Sequence, residues 1–171
     1  ALHQTLADLA HSHLPAEVTE RHRDYYLAQV NEDNEDWQRI ETIYPQISFA
    51  WQQLGTSNPL AIEFSDALST FQRRRGIWQE RLGWLTVALH ISQELKDEQS
   101  TARMLNNIGL VYSDLGEKGK ALDFFEQALP LRRQVGDKGG EATTLNNIGR
   151  VYDALGEKGK ALDFFEHALP L

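Results

Sequence analysis

Cysteine is missing from all 171 residues. Disulfides, thiolate nucleophiles and Cys-ligated zinc are thereby excluded. A reducing compartment suits that lack, and a cytoplasmic location is the expectation. No apolar run approaches the roughly 20 residues that span a bilayer, so no membrane role is expected. The opening ALHQTLADLAHSHL lacks the basic segment of a secretory signal and carries Asp8. Positive charge is scarce, with 25 Asp and Glu against 17 Lys and Arg and a net charge of −8. Nucleic-acid affinity comes mostly from neutralising phosphates, so this balance argues against such a partner. The one dense basic run is Arg73, Arg74 and Arg75. It reads either as an exposed helix end or as a local basic patch.

Catalytic patterns are equally thin. No G-x-x-x-x-G-K-[ST] phosphate loop occurs, and GEKGKA at 116–121 and 156–161 has the wrong spacing for one. The six histidines include no HExxH set. His11 and His13, two apart on a helix, would point in different directions. Nothing marks any pair of carboxylates as a buried acid–base couple. No catalytic residue, metal or cofactor is expected, and the chain reads as a non-enzyme.

What the sequence does hold is a repeat. Ala102–Leu131 and Ala142–Leu171 lie forty residues apart and agree at 24 of 30 positions. In the first copy Leu105, Ile108, Tyr112 and Leu115 recur at three- and four-residue steps, the stripe of an amphipathic helix. Gly109 sits inside that stripe, where glycine disfavours helix by about 1 kcal/mol, and close approach of a partner helix explains it. Gly116 marks the helix end. A second helix follows with Ala121, Phe125 and Ala128, a large ring between small residues. Gly149, Tyr152, Gly156, Ala161, Phe165 and Ala168 repeat the scheme. Trp78, Trp84, Phe124, Phe125, Phe164 and Phe165 read as core, with Phe124 and Phe164 alternatively facing the neighbouring repeat.

This order of Leu, Ile, Gly, Tyr, Gly, Ala, Phe and Ala resembles the tetratricopeptide repeat. The resemblance implies an all-α, right-handed α-solenoid of antiparallel helix pairs that binds proteins or peptides. The period of 40 departs from the family's 34, and the excess falls in LRRQVGDKGGEAT, lengthening the second helix or its loop. The family's proline is displaced to Pro130 and Pro170, where a bend or an early helix end is expected. A degenerate copy upstream aligns Gly76 with Gly116, Leu85 with Phe125 and Ala88 with Ala128. It predicts a first helix ending over Asp66–Arg75 and a second over Trp78–Lys96. Arg81 falls on the alanine position there, so packing must differ.

Residues 1–60 lack the period and read as helices over His3–His11, Ala16–Asn31 and Asp36–Leu54, with Pro15 and Asn34 near the breaks. Pro45 is expected to kink or split the third. The expected division is therefore 1–60 as a helical linker segment and 61–171 as repeats (62–101, 102–141 and 142–171). RHRDYYLAQV, WQRIETIYPQISFAWQQL and RRRGIWQERLGWLTVAL ahead of the LNNIG repeats resemble the helical region of signal-transducing NTPases of the NB-ARC and maltose-activator-like kind. That likeness implies a sensor or regulatory arm. The chain opens on Ala1 and stops at Leu171 within a repeat, so both ends are expected to be cuts through a longer protein.

The tetratricopeptide resemblance places Arg103, Asn106, Asn107, Leu110, Ser113 and Asp114 on a concave groove. The later copy offers Thr143, Asn146, Asn147, Arg150, Asp153 and Ala154. Four of the six differences between copies fall on these places, while the positions read as packing agree. That pattern fits a fixed scaffold with a changeable surface, or drift at exposed positions. Asn107 and Asn147 read as backbone contacts for a bound peptide, or as amides tying neighbouring helices. Arg150 reads as a carboxylate ligand for a partner, or as paired with Asp153 three residues on. A terminal repeat also exposes apolar surface, and weak end-to-end self-association through Leu162, Phe165 and Leu169 is expected.

Overall fold

The structure is a computed structural model and describes residues 16–32, 36–55 and 57–169. The expected helix at His3–His11, the His11/His13 pair, Pro15, Asn34 and Pro170 lie outside them. Every regular element among the described residues is a helix. They are α1 (Ala16–Glu32), α2 (Trp37–Gln52), α3 (Leu60–Ala67), α4 (Ser69–Arg75), α5 (Trp78–Glu94), α6 (Glu98–Asp114), α7 (Lys118–Gln134), α8 (Lys138–Ala154) and α9 (Lys158–Ala168).

The repeat is more regular than its forty-residue period suggests. From α5 onward each helix begins twenty residues after the last, and α5 to α8 each have 17 residues. The residues beyond the usual period are therefore helical, not loop. α6 and α8 each start at an aspartate that caps the helix. Asp97 accepts from the Ser100 amide at 3.0 Å and Asp137 from the Gly140 amide at 2.8 Å. Each turn passes through one left-handed residue, Gly76, Lys96, Gly116, Gly136 and Gly156 in order. Four are glycines, for which that conformation carries no steric cost.

Pro130 does not end its helix, because α7 continues to Gln134. Pro45 likewise leaves α2 unsplit from Trp37 to Gln52. Each proline stands on an exposed face of its helix, where the missing backbone donor leaves a carbonyl that solvent can reach. The upstream copy does break. Its first helix is divided at Leu68 into α3 and α4, with the Leu68 backbone at φ −94° and ψ 0°.

Packing follows the small–large pattern. A Cβ on Gly109 would sit 2.6 Å from the Phe125 ring, and one on Gly149 would sit 2.6 Å from Phe165. No methyl group fits there, so α6 and α7 touch through backbone against ring. Tyr112 stacks on Phe124 with centroids 5.4 Å apart, and Tyr152 on Phe164 at 5.5 Å. One apolar core runs from Leu27 in α1 to Val111 in α6. It includes Trp51 stacked on Trp84, centroids 4.2 Å apart. A second core holds Ala121, Phe125, Ile148 and Val151.

One packing position departs from expectation. Met104 and its counterpart Thr144 are both fully buried, so the two copies do differ inside. The Thr144 hydroxyl bonds the Gly140 carbonyl at 2.9 Å and Asn106 Oδ1 at 3.4 Å. The polar group is satisfied where a thioether stood.

Candidate functional site

The first helices of the three pairs, α3/α4, α6 and α8, lie next to one another, and the polar residues along them form a ladder. The Asn147 amide donates to Asn106 Oδ1 at 3.0 Å. One repeat earlier the Asn107 amide reaches Asp66 Oδ1 at 3.5 Å. Both rungs join residues 41 apart, the sixth place of one repeat to the fifth of its predecessor. Two ion pairs reinforce the upper joint: Arg103 Nε lies 2.8 Å from Asp66 Oδ2, and Arg73 Nε 2.8 Å from Asp114 Oδ2. The lower joint, between α6 and α8, has no counterpart to these ion pairs among the described residues.

Burial raises the proton affinity of the upper rung. Withdrawal from water pushes the Asp66 carboxyl up to about 6, against the pull of Arg103 and Arg132. Nearby, Arg81 on α5 is buried, and its Nε and Nη1 have no hydrogen-bond acceptor. Desolvation lowers its pKa to about 10, with Arg73 adding to the effect and Asp114 opposing it.

The expected groove residues divide into two groups. Arg103, Asn106, Asn107 and Asp114 are engaged with neighbouring repeats, and Asn147 donates its amide to Asn106. Ser113 accepts from Lys118 Nζ, and Leu110 is half-buried. On α8 the pattern changes. Thr143 bonds only the Gly139 carbonyl of its own helix. Asn146, Arg150 and Asp153 are exposed and have no side-chain partner among the described residues, and Arg150 makes no ion pair with Asp153. Their spacing of four and three puts them on one stripe. Ala154, one residue on, is exposed beside them.

Sequence reasoning missed Asp66, which anchors two residues of α6. A signal existed: a forty-residue period places the sixth position of each repeat one step beyond the fifth of the last. Among the described residues no group of three or more His, Asp or Glu is placed to hold a metal. No helix among them is long and apolar enough to cross a membrane.

Stacked antiparallel helix pairs with first helices side by side define a helical-repeat solenoid. The tetratricopeptide repeat family model matches residues 67–134 and 100–171, and the chain belongs to that family. Solved structures agree on the fold. BtubC (BKLC) from P. vanneervenii is 21% identical with a TM-score of 0.66, over 99% of this chain and 73% of that one. The putative kinesin light chain of Podosopora anserina, with nearly identical TPR-like repeats, is 15% identical at TM-score 0.67, over 98% and 82%. The TPR domain of Arabidopsis FLU is 17% identical at TM-score 0.59, over 64% and 92%. No curated protein matches the chain. Repeats of this family are protein-interaction modules.

Proposed function

We propose that this chain holds a protein segment or peptide along its first helices, and that α8 makes the decisive contacts. The observation that carries the reading is the unpartnered row Asn146, Arg150 and Asp153. An amide supplies both a donor and an acceptor to an extended backbone, and Arg150 supplies a fork for a carboxylate. At the corresponding places on α6, Asn106 accepts from Asn147, Leu110 is apolar and Ser113 accepts from Lys118 of the same helix pair. Asn107 and Asn147 retain their carbonyl oxygens as acceptors for the same ligand. The array acts as the sensor or regulatory arm of a larger cytoplasmic signalling NTPase, a reading that rests on the likeness of the segments 21–30, 37–54 and 73–89, ahead of the LNNIG repeats, to such proteins. The division into a linker over 1–60 and repeats over 61–171 belongs to the same reading.

The test compares capture of lysate partners by the wild-type chain and by an Asn146→Ala, Arg150→Ala, Asp153→Ala variant of equal helicity. Loss of a partner from the variant supports the groove. Equal capture by both would overturn it. A passive self-associating scaffold is the second reading, favoured by Leu162 and Leu169, which are 56% and 84% exposed. Light scattering over a concentration series separates the two, since a persistent monomer removes the scaffold.

A further inference from the structure

The arginine run at the end of α4 has a use that the groove does not absorb. Its three side chains meet different fates. Arg73 is held by Asp114 at 2.8 Å, and Arg75 Nη2 by Glu41 Oε1 at 2.9 Å. Arg74, between them, is exposed and has no hydrogen-bond or ion-pair partner among the described residues. Together with Arg75 it rims a hollow of about 250 Å³ whose other walls are Trp37, at the start of α2, and Phe71. Phe71 is a buried floor, whereas Trp37 is 48% exposed, a large apolar surface for a side chain at the edge of a depression.

Size and charge select the occupant. Cofactor and drug-sized ligands fill roughly 300–1,000 Å³, so this hollow suits one large side chain rather than a whole small molecule. Exposed tryptophan beside arginine is also the composition enriched where a few residues dominate a protein interface. The Arg73 and Arg75 charges are met within the chain, and Glu41 is met by Arg75. The Arg74 guanidinium is the unbalanced charge at the rim, and it favours an anionic group able to accept a forked pair of hydrogen bonds. Asp36, next to Trp37, has its Oδ1 directed to the Arg39 amide as the cap of α2.

We infer that Trp37, Phe71 and Arg74 form a second docking point, for an acidic peptide segment that inserts one large apolar side chain between flanking carboxylates. Its residues are distinct from the row on α8 and do not depend on it. The two contacts could therefore be lost one at a time.

The probe is the peptide acetyl-Glu-Glu-Leu-Glu-Glu-amide, with acetyl-Gln-Gln-Leu-Gln-Gln-amide as its uncharged twin. Titration into the full ¹⁵N-labelled chain is followed at the Trp37 indole N–H. The acidic peptide is expected to shift that signal, and the glutamine peptide to bind at least tenfold more weakly. Arg74→Glu should cost tenfold or more in affinity and leave helicity unchanged, because the exposed guanidinium makes no hydrogen bond or ion pair among the described residues. Trp37→Ala, which lacks the indole and is therefore followed at the Phe71 and Arg74 backbone amides, should abolish binding, and Arg74→Gln provides a reading if that variant folds poorly. Equal binding of the two peptides would overturn the site, as would full affinity in Arg74→Glu or no shift at all. Binding lost only in the Asn146, Arg150, Asp153 variant would reassign the peptide to α8 and also overturn it.

Discussion

In the second and third helix pairs a glycine on the first helix faces a phenylalanine on the second. In the first pair the same two places hold Ser69 and Leu85. The ring has shrunk to a branched aliphatic, and the glycine has gained a side chain. The alanine of the later pairs, Ala121 and Ala161, becomes Arg81, and Tyr112 becomes Gln72. Yet α5 keeps the twenty-residue spacing of the helices after it. The helix register survives although the residues at these places differ, as an exchange of volume between them would allow. What the exchange costs is regularity elsewhere. The first helix is broken at Leu68, Gln72 and Arg81 are buried with polar atoms unpartnered, and Arg81 is the charged one. The joints show the same trade. Ser92 and Ser100 near the α5–α6 turn correspond to Arg132 and Gly140 near α7–α8. A Cβ on Gly140 would lie 2.7 Å from Arg132 Cδ, so the larger side chain occupies what the glycine vacates.

The contrast is broken most severely at the ring. Phe125→Ala should cost about 3–5 kcal/mol, read from urea unfolding, because a fully buried phenyl leaves a cavity. Gly109→Ala should cost roughly 1–3 kcal/mol through overpacking, less the gain in helix propensity. In a Phe125→Leu background the same Gly109→Ala change should become neutral or stabilising, reproducing the Ser69–Leu85 solution. A double-mutant cycle showing no coupling would refute the exchange of volume.

The amide ladder comes next. Asn147→Ala leaves Asn106 Oδ1 with only the long bond from Thr144, so about 1–2 kcal/mol should be lost. The Asn107→Ala change should cost less, since its rung is longer and Asp66 keeps Arg103.

The upper rung sharpens the comparison through pH. The Asp66 carboxyl is raised from 3.8 to about 6 in the folded chain, so the folded state holds the extra proton between those values. Stability is full below the unfolded pKa and falls as pH rises through 4 to 6. Linkage for such a shift is about 3 kcal/mol. Solvent at the partly exposed carboxylate reduces the expectation to on the order of 1–2. Asp66→Asn should flatten that slope in chemical unfolding measured from pH 4 to 7. An equal slope in the variant would assign it to another group. Smallest is Arg81→Met, which should be neutral or stabilise by about 1 kcal/mol, since it removes a buried charge and retains the packing stem. A loss above 1 kcal/mol would show that the guanidinium is satisfied after all.

Most of the fold was written in the periodicity. The forty-residue identity, the turn glycines and the apolar stripe locate α6 to α9, and Gly109 announces the close contact with Phe125. The upstream register was legible from Gly76, Leu85 and Ala88 alone. Two features were not. Proline is read locally as a helix breaker, but at Pro45 and Pro130 an exposed face and tertiary packing override that preference. The break at Leu68 has no punctuating residue, since FSDALST carries neither glycine nor proline. The residues that the resemblance assigns to the groove lie on α6 and α8. Which of them are already engaged depends on contacts between repeats, and a pattern within one helix does not contain those.

The twenty-residue cadence has a genetic corollary. The stretch Gly116–Glu126 is repeated letter for letter at Gly156–Glu166. Excising residues 117–156 would rejoin Gly116 to Glu157 with the local sequence unaltered, and duplicating that block would be equally seamless. Each such event removes or adds one turn-to-turn unit whose contacts with its neighbours already exist in the fold. A deletion or duplication of that block would therefore shorten or lengthen the array by a whole helix pair, leaving the junction in register.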